Sequence, residues 1–180
     1  MDFGILMVRA VVGAVLAAHG AQKLFGAFGG HGLEGTGQFF ESMGFRPGHR
    51  YATLAGLSEF GGGLLLVLGL LTPLGAAAAI GVMISAIVAV HQDNGFFNSD
   101  GGYEFPLVLA VTAAGVSFTG AGSLSVDAAL GRSFSGAWGV LALLVGGLAA
   151  AAVLGARKQV EEVSEEAADT EEETEQRRAA

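Results

Sequence analysis

His19, Lys23, Glu59, His91 and Glu104 are the side chains of this chain whose types and spacing could do chemistry, and each lies inside or at the end of a long apolar stretch. A charge in a stretch of that kind is costly to bury and faces a helix-bundle interior or a wet cavity. His19 and Lys23 are four residues apart and therefore share a helix face. Glu59 sits in Leu57-Ser58-Glu59-Phe60-Gly61-Gly62-Gly63, within the next apolar stretch. If the two stretches form antiparallel helices, His19 and Glu59 both lie roughly 10 Å below the same surface. His91 ends the third stretch and Glu104 begins the fourth on that side, so the five residues are expected to build one polar pocket under glycine-containing loops. Arg9 lies towards the opposite face, where it can snorkel or pair with backbone carbonyls.

The chemistry open to these groups differs. Glu59 reads either as a proton acceptor or ligand-orienting group, or as half of an interhelical ion pair that fixes register. Lys23 or a protonated His19 would keep it ionised. His19 and His91 admit three readings: haem or metal ligation, proton relay, or hydrogen bonding between helices. No fixed-spacing motif supports haem, and no histidine–carboxylate spacing on one helix resembles a zinc site. His31 and His49 fall in a polar connection and are expected to be solvated. Phe25, Phe28, Phe96, Phe97, Tyr103 and Phe105 gather at the pocket mouth, either as an interfacial belt or as a slot for a flat lipophilic ring. Ser58 and Ser85 lack a base partner and are expected to hydrogen-bond between helices.

The elements that must position these groups are membrane spans. A helix needs roughly 20 mainly apolar residues to cross the hydrocarbon core. The pattern gives five such stretches, over residues 3–25, 52–71, 74–91, 105–119 and 137–155. The fourth is short, but no charge follows it before Asp127, so it can extend. The fold class expected is all-α: a polytopic transmembrane bundle of four core helices plus a fifth, C-terminal one. Its divisions are a membrane domain over residues 1–130, a connection and added helix over 131–158, and an acidic tail over 159–180. Between the first two spans, Leu33, Phe40 and Met43 recur at helical spacing, which predicts a short amphipathic helix in the interface. Thr72-Pro73 reads as a tight turn joining the second and third spans. Met1-Asp2-Phe3-Gly4 lacks a basic leader, so the first span is expected to be retained.

Composition excludes several classes. With 52% hydrophobic residues and a mean hydropathy of +0.56, a soluble globular reading is poor. Thirty glycines suit closely approaching transmembrane helices. Of the formal charge of −8, residues 161–180 hold −7, and the rest of the chain has no basic stripe for nucleic acid. That tail is expected to be disordered. The absence of cysteine excludes thiol chemistry within this chain, so a redox role needs a bound cofactor or a partner. Arg46, Arg50, Arg157 and Lys158 fall on one side and Arg132 on the other, which places the long first loop and the tail in the cytoplasm.

Arg9, then His19-Gly20-Ala21-Gln22-Lys23-Leu24-Phe25-Gly26, Glu59-Phe60-Gly61-Gly62-Gly63 and Gly101-Gly102-Tyr103-Glu104-Phe105-Pro106 together resemble the DoxX family, as does Leu124-Ser125-Val126-Asp127. The likeness runs over about residues 3–130 and implies a four-helix integral membrane protein. It also implies kinship with the small membrane subunit of a thiosulfate:quinone oxidoreductase associated with a terminal quinol oxidase. Other members resemble membrane anchors of redox-defence assemblies. The family's polar positions map onto Arg9, His19, Lys23, Glu59, Tyr103 and Glu104. The expectation is thus a membrane subunit of a quinone-linked oxidoreductase, with quinone as the cofactor. In it Glu59 and His19 exchange protons, Lys23 steadies negative charge, His91 helps hold the ligand, and Tyr103 or Glu104 gates the site. A scaffold recruiting soluble redox partners and a small proton-coupled transporter are the alternatives. The lipid bilayer is the expected surrounding, and oligomerisation is open.

Overall fold

The computed structural model describes residues 2–157. Its helices are α1 (Asp2–Phe25), α2 (Gly32–Ser42), α3 (Gly48–Leu68), α4 (Thr72–Ala86), α5 (Glu104–Thr119) and α6 (Val126–Ala129), then α7 (Ala137–Arg157). α4 continues without a break through a π-helical turn, Ile87–His91, and a 3-10 turn, Gln92–Asn94. Lys158 and the acidic tail over 159–180 lie outside the described residues.

Among the described residues four helices are long and apolar enough to cross a membrane: α1, α3, α4 with its extension, and α7. α5 has 16 residues and does not extend as its uncharged flank suggests. Gly120 takes a φ of 85°, and the chain leaves the helix there. The tight turn is also displaced from Thr72-Pro73. α3 ends at Gly69, in the left-handed region with φ 62°, while Thr72 and Pro73 form the first turn of α4. Proline suits that position because the first helical N–H groups have no partner within the helix.

Small residues hold the helices together. α1 and α3 run antiparallel with their backbones in contact. A Cβ at Gly13 would stand 2.5 Å from the carbonyl oxygen of Gly63, and one at Gly20 2.3 Å from the nitrogen of Phe60. Gly62 and Gly75 bring α3 against α4, and Gly81 and Gly146 bring α4 against α7. Many large apolar side chains point outward, among them Val11, Leu57, Val111 and Leu148, while a smaller set including Leu16, Leu66, Ile80 and Leu109 fills the core. In lipid, packing rather than exclusion of water drives helix association, so small residues gather at the helix contacts and leucines can face outward.

The amphipathic helix expected around Leu33–Met43 is α2, but it does not merely float at the surface. Thr36 and Gly37 are buried, and the carbonyl oxygen of Gly37 approaches the Gly48 Cα so closely that no side chain fits there. Glu41 accepts a hydrogen bond from the Gly48 N–H at 3.0 Å, binding α2 to the first turn of α3. His31 and His49 are exposed.

At the other end of the bundle Arg9 is 1% exposed. It does not snorkel. Its guanidinium donates to the carbonyls of Ala121 and Leu66, each at 3.1 Å, and to those of Val67 and Leu124. Leu66 and Val67 belong to the last turn of α3, whose carbonyls lack partners four residues on within the helix; Leu66 also accepts the Gly69 N–H at 3.1 Å. Buried Asp127 serves the start of α4 in the complementary way. It accepts from Leu71 N–H at 2.8 Å, Thr72 N–H at 3.0 Å and the Thr72 hydroxyl at 2.7 Å. These bonds hold Leu71 at φ 45°, a conformation unfavourable for a leucine. Asp127→Ala would strand two amide donors, and a loss of about 1–3 kcal/mol is expected. Thermal unfolding in detergent measures it, and an unchanged midpoint would remove Asp127 from this role.

Candidate functional site

A cavity of about 280 Å³ lies among α2, α3, α4 and α7, next to the end of α1. Its wall is mostly apolar. α4 contributes a row of small residues, including Ala78, Gly81, Ala86 and Ala89, which leaves the space open. Phe39 and Phe40 of α2, with Met43 and Phe45 from the α2–α3 connection, face it from one end. Phe45 is buried at 1% exposure and stacks at an angle on Tyr51, with ring centroids 5.1 Å apart.

One ion pair interrupts this apolar surface. Lys23 Nζ donates to Glu59 Oε2 at 2.6 Å, and both residues line the cavity. Glu59 is nearly inaccessible, whereas the Lys23 side chain keeps 27% of its surface. The glycines that bring α1 onto α3 are what let a lysine of one reach a glutamate of the other. A carboxylate so enclosed is retained as an ion only with a partner of this kind. The lysine uses one of three N–H groups on Glu59, so it has donors left for a ligand oxygen.

His91 also lines the cavity. The π-helical turn at Ile87–His91 ends on it, and turns of this type recur at functional sites. Its Nδ1 lies 2.7 Å from the carbonyl oxygen of Gly101. A carbonyl only accepts, so Nδ1 carries the hydrogen, and in the neutral ring Nε2 is left as an acceptor. Ser58 and Ser85 are at the wall too. Ser85 spends its hydroxyl on the Gly81 carbonyl of its own helix at 2.9 Å, not on another helix.

The structure therefore unites Lys23, Glu59 and His91 and leaves three other expected members elsewhere. His19 packs on Phe105 of α5, with ring centroids 5.6 Å apart, and does not line the cavity. Four helical residues advance the direction by about 40° beyond one turn. That offset lets Lys23 face α3 while His19 faces α5. Glu104 accepts the Asn98 N–H at 3.1 Å and closes its own loop. Tyr103 stands edge-on to Phe96. The aromatic slot is likewise built from other rings than those expected. Phe25, Phe28, Phe96 and Phe97 are exposed and do not line the cavity, while Phe40, Phe45, Tyr51 and the part-exposed Phe39 do. The spacing of Phe39 and Phe40 marks α2, but nothing local in the sequence singles out Phe45. No group of three or more His, Asp or Glu among the described residues could hold a metal ion.

Residues 4–92 match the DoxX family, a segment that contains Arg9, His19, Lys23, Glu59 and His91. Tyr103, Glu104, the Leu124–Asp127 motif and α7 lie beyond it. Over 63 residues the chain is 36% identical to an uncharacterized protein of Haemophilus influenzae, a match covering 35% of this chain and 42% of that protein. It thus spans less than half of that relative's length. No solved structure matches. With the polar helix positions inside the matched segment and four helices fit to cross a membrane among the described residues, this chain is a multi-pass membrane protein whose residues 4–92 match the DoxX family.

Proposed function

We propose that the cavity binds a quinone and that the chain is the membrane subunit of a quinone-linked oxidoreductase system. The observation that carries this reading is the Lys23–Glu59 ion pair set into the wall of an otherwise apolar, aromatic-faced cavity. A few polar groups in an apolar cleft are what orient a flat lipophilic ring with carbonyl oxygens. When bound, a quinone supplies an acceptor for two electrons and two protons. Lys23 donates to a carbonyl oxygen and steadies negative charge there, while Glu59 holds or passes a proton at its carboxylate. His91 Nε2 is a second proton-accepting atom, and the alanines of α4 with Phe40 and Phe45 keep water away. His19, Tyr103 and Glu104 lie outside the cavity, so proton exchange rests on Glu59 and His91. The chain has no cysteine, so a redox partner or a further cofactor provides the electrons. Arg46, Arg50 and Arg157 stand at the cavity end of the bundle, which supports placing that end on the cytoplasmic side.

Glu59→Gln keeps the shape and removes the charge. It is expected to weaken binding of a decyl-substituted benzoquinone about tenfold or more, as losing a charge-assisted contact does. Calorimetric titration of the protein in lipid nanodiscs measures this. Wild-type protein that binds no quinone, while still capturing redox proteins, would replace the reading with a scaffold.

A further inference from the structure

α7 lies beyond the segment that matches the family, yet Ala149, Ala150 and Val153 form part of the same cavity wall as Lys23 and Glu59. Two contacts fix it there. Along α4, a Cβ at Gly146 would stand 2.8 Å from the carbonyl oxygen of Ala77, and one at Gly81 3.1 Å from that of Gly146. At the end of α7 the Arg157 guanidinium lies over the Phe45 ring, 5.5 Å from its centroid. A cation over an aromatic face is attracted by the ring quadrupole, and Phe45 itself lines the cavity. The helix is therefore held both along its length and at the cavity's aromatic edge.

The division of labour around the cavity is chemical. Its charged side chain atoms and its imidazole come from α1, α3 and the end of α4, whereas α7 contributes only alkyl side chains. A ligand with its oxygens on Lys23 must turn some other part of itself towards α7. We propose that α7 forms the wall that receives the ligand's apolar substituent, and that Val153 sets which substituents are admitted. This rests on the quinone reading above. An appended helix would then select among quinones by tail while the family segment holds the ring.

The test uses the full chain in lipid nanodiscs and two probes, the decyl-substituted benzoquinone and the same ring without a tail. Val153→Phe should weaken binding of the decyl compound about tenfold or more and that of the tailless ring by less than about twofold. Equal losses for both, or none for either, overturn the proposal. A gentler variant guards against misfolding of α7. The chain has no cysteine, so Val153→Cys and Ser58→Cys each place one thiol on the cavity wall, on the apolar and the polar side. The decyl compound should slow alkylation at both positions, and the tailless ring only at Ser58→Cys. Shielding of Ser58→Cys without shielding of Val153→Cys would overturn the role of α7 and leave the quinone site standing. Shielding at neither position would overturn the quinone reading and this one with it.

Discussion

Arg9→Ala is expected to destabilise the folded bundle by about 3–5 kcal/mol, the range for removing one side of a buried charged network. The guanidinium meets four backbone carbonyls, two at the end of α3 and two in the segment after α5. Alanine would leave all four without that partner in a place where the residue is 1% exposed. It would also remove the positive charge that interacts with buried Asp127. The effect is therefore on assembly, since the donor that ties α1 to two other parts of the chain is lost. Arg9→Lys should recover only part of the loss, because an ammonium has three donors and cannot reproduce the planar fork. Unfolding by denaturing detergent, followed by far-ultraviolet circular dichroism, measures both variants. Wild-type stability in Arg9→Ala would show that the carbonyls find water instead.

Gly20→Leu is expected to reach or exceed the top of the roughly 1–3 kcal/mol range seen for overpacked cores. A Cβ at Gly20 would lie 2.3 Å from the Phe60 nitrogen and 2.7 Å from the Gly56 carbonyl oxygen. Both atoms are backbone, so no side chain can turn aside, and α1 must move away from α3. That movement would also part Lys23 from Glu59, so the quinone binding proposed above should fall together with stability. Gly61→Leu is the control, because a Cβ there meets nothing within 4 Å. It should leave both measurements close to wild type. Equal behaviour of the two variants would contradict the close backbone seam.

These two residues also show how far the sequence can be read. Arg9 stands out because a charge in an apolar span requires an explanation, and pairing with backbone carbonyls was one of two readings open to it. Which carbonyls it meets was not legible, since Leu66 and Leu124 are remote in the chain and ordinary in type. His19 and Glu59 could be placed at one depth by counting residues along antiparallel helices, with Lys23 a turn nearer the same surface. His19 satisfied the same count and still faces α5, because depth follows from rise per residue whereas direction depends on the rotation of each helix against its neighbours. Glu104 and Tyr103 have the right position along the chain, yet their loop occupies them locally. Asp127 was visible as the first charge after a long uncharged stretch and as the end of the Leu124–Asp127 motif, whereas its three bonds to Leu71 and Thr72 depend on a fold that returns it to the α3–α4 turn.

By itself the sequence determined that this is an all-helical membrane protein with DoxX-like polar positions. Span length, the rarity of intramembrane charge and the supply of glycine are properties of local stretches, and bilayer thickness gives them an absolute scale. Only the tertiary structure decided which faces meet. The seam of Gly13, Gly20, Gly56 and Gly63 sets how closely α1 and α3 approach, and hence that Lys23 reaches Glu59. The cavity arises where small residues of α4 fail to fill the space between α3 and α7. A void is a shortfall of side-chain volume between segments distant in sequence, so no single stretch of residues encodes it.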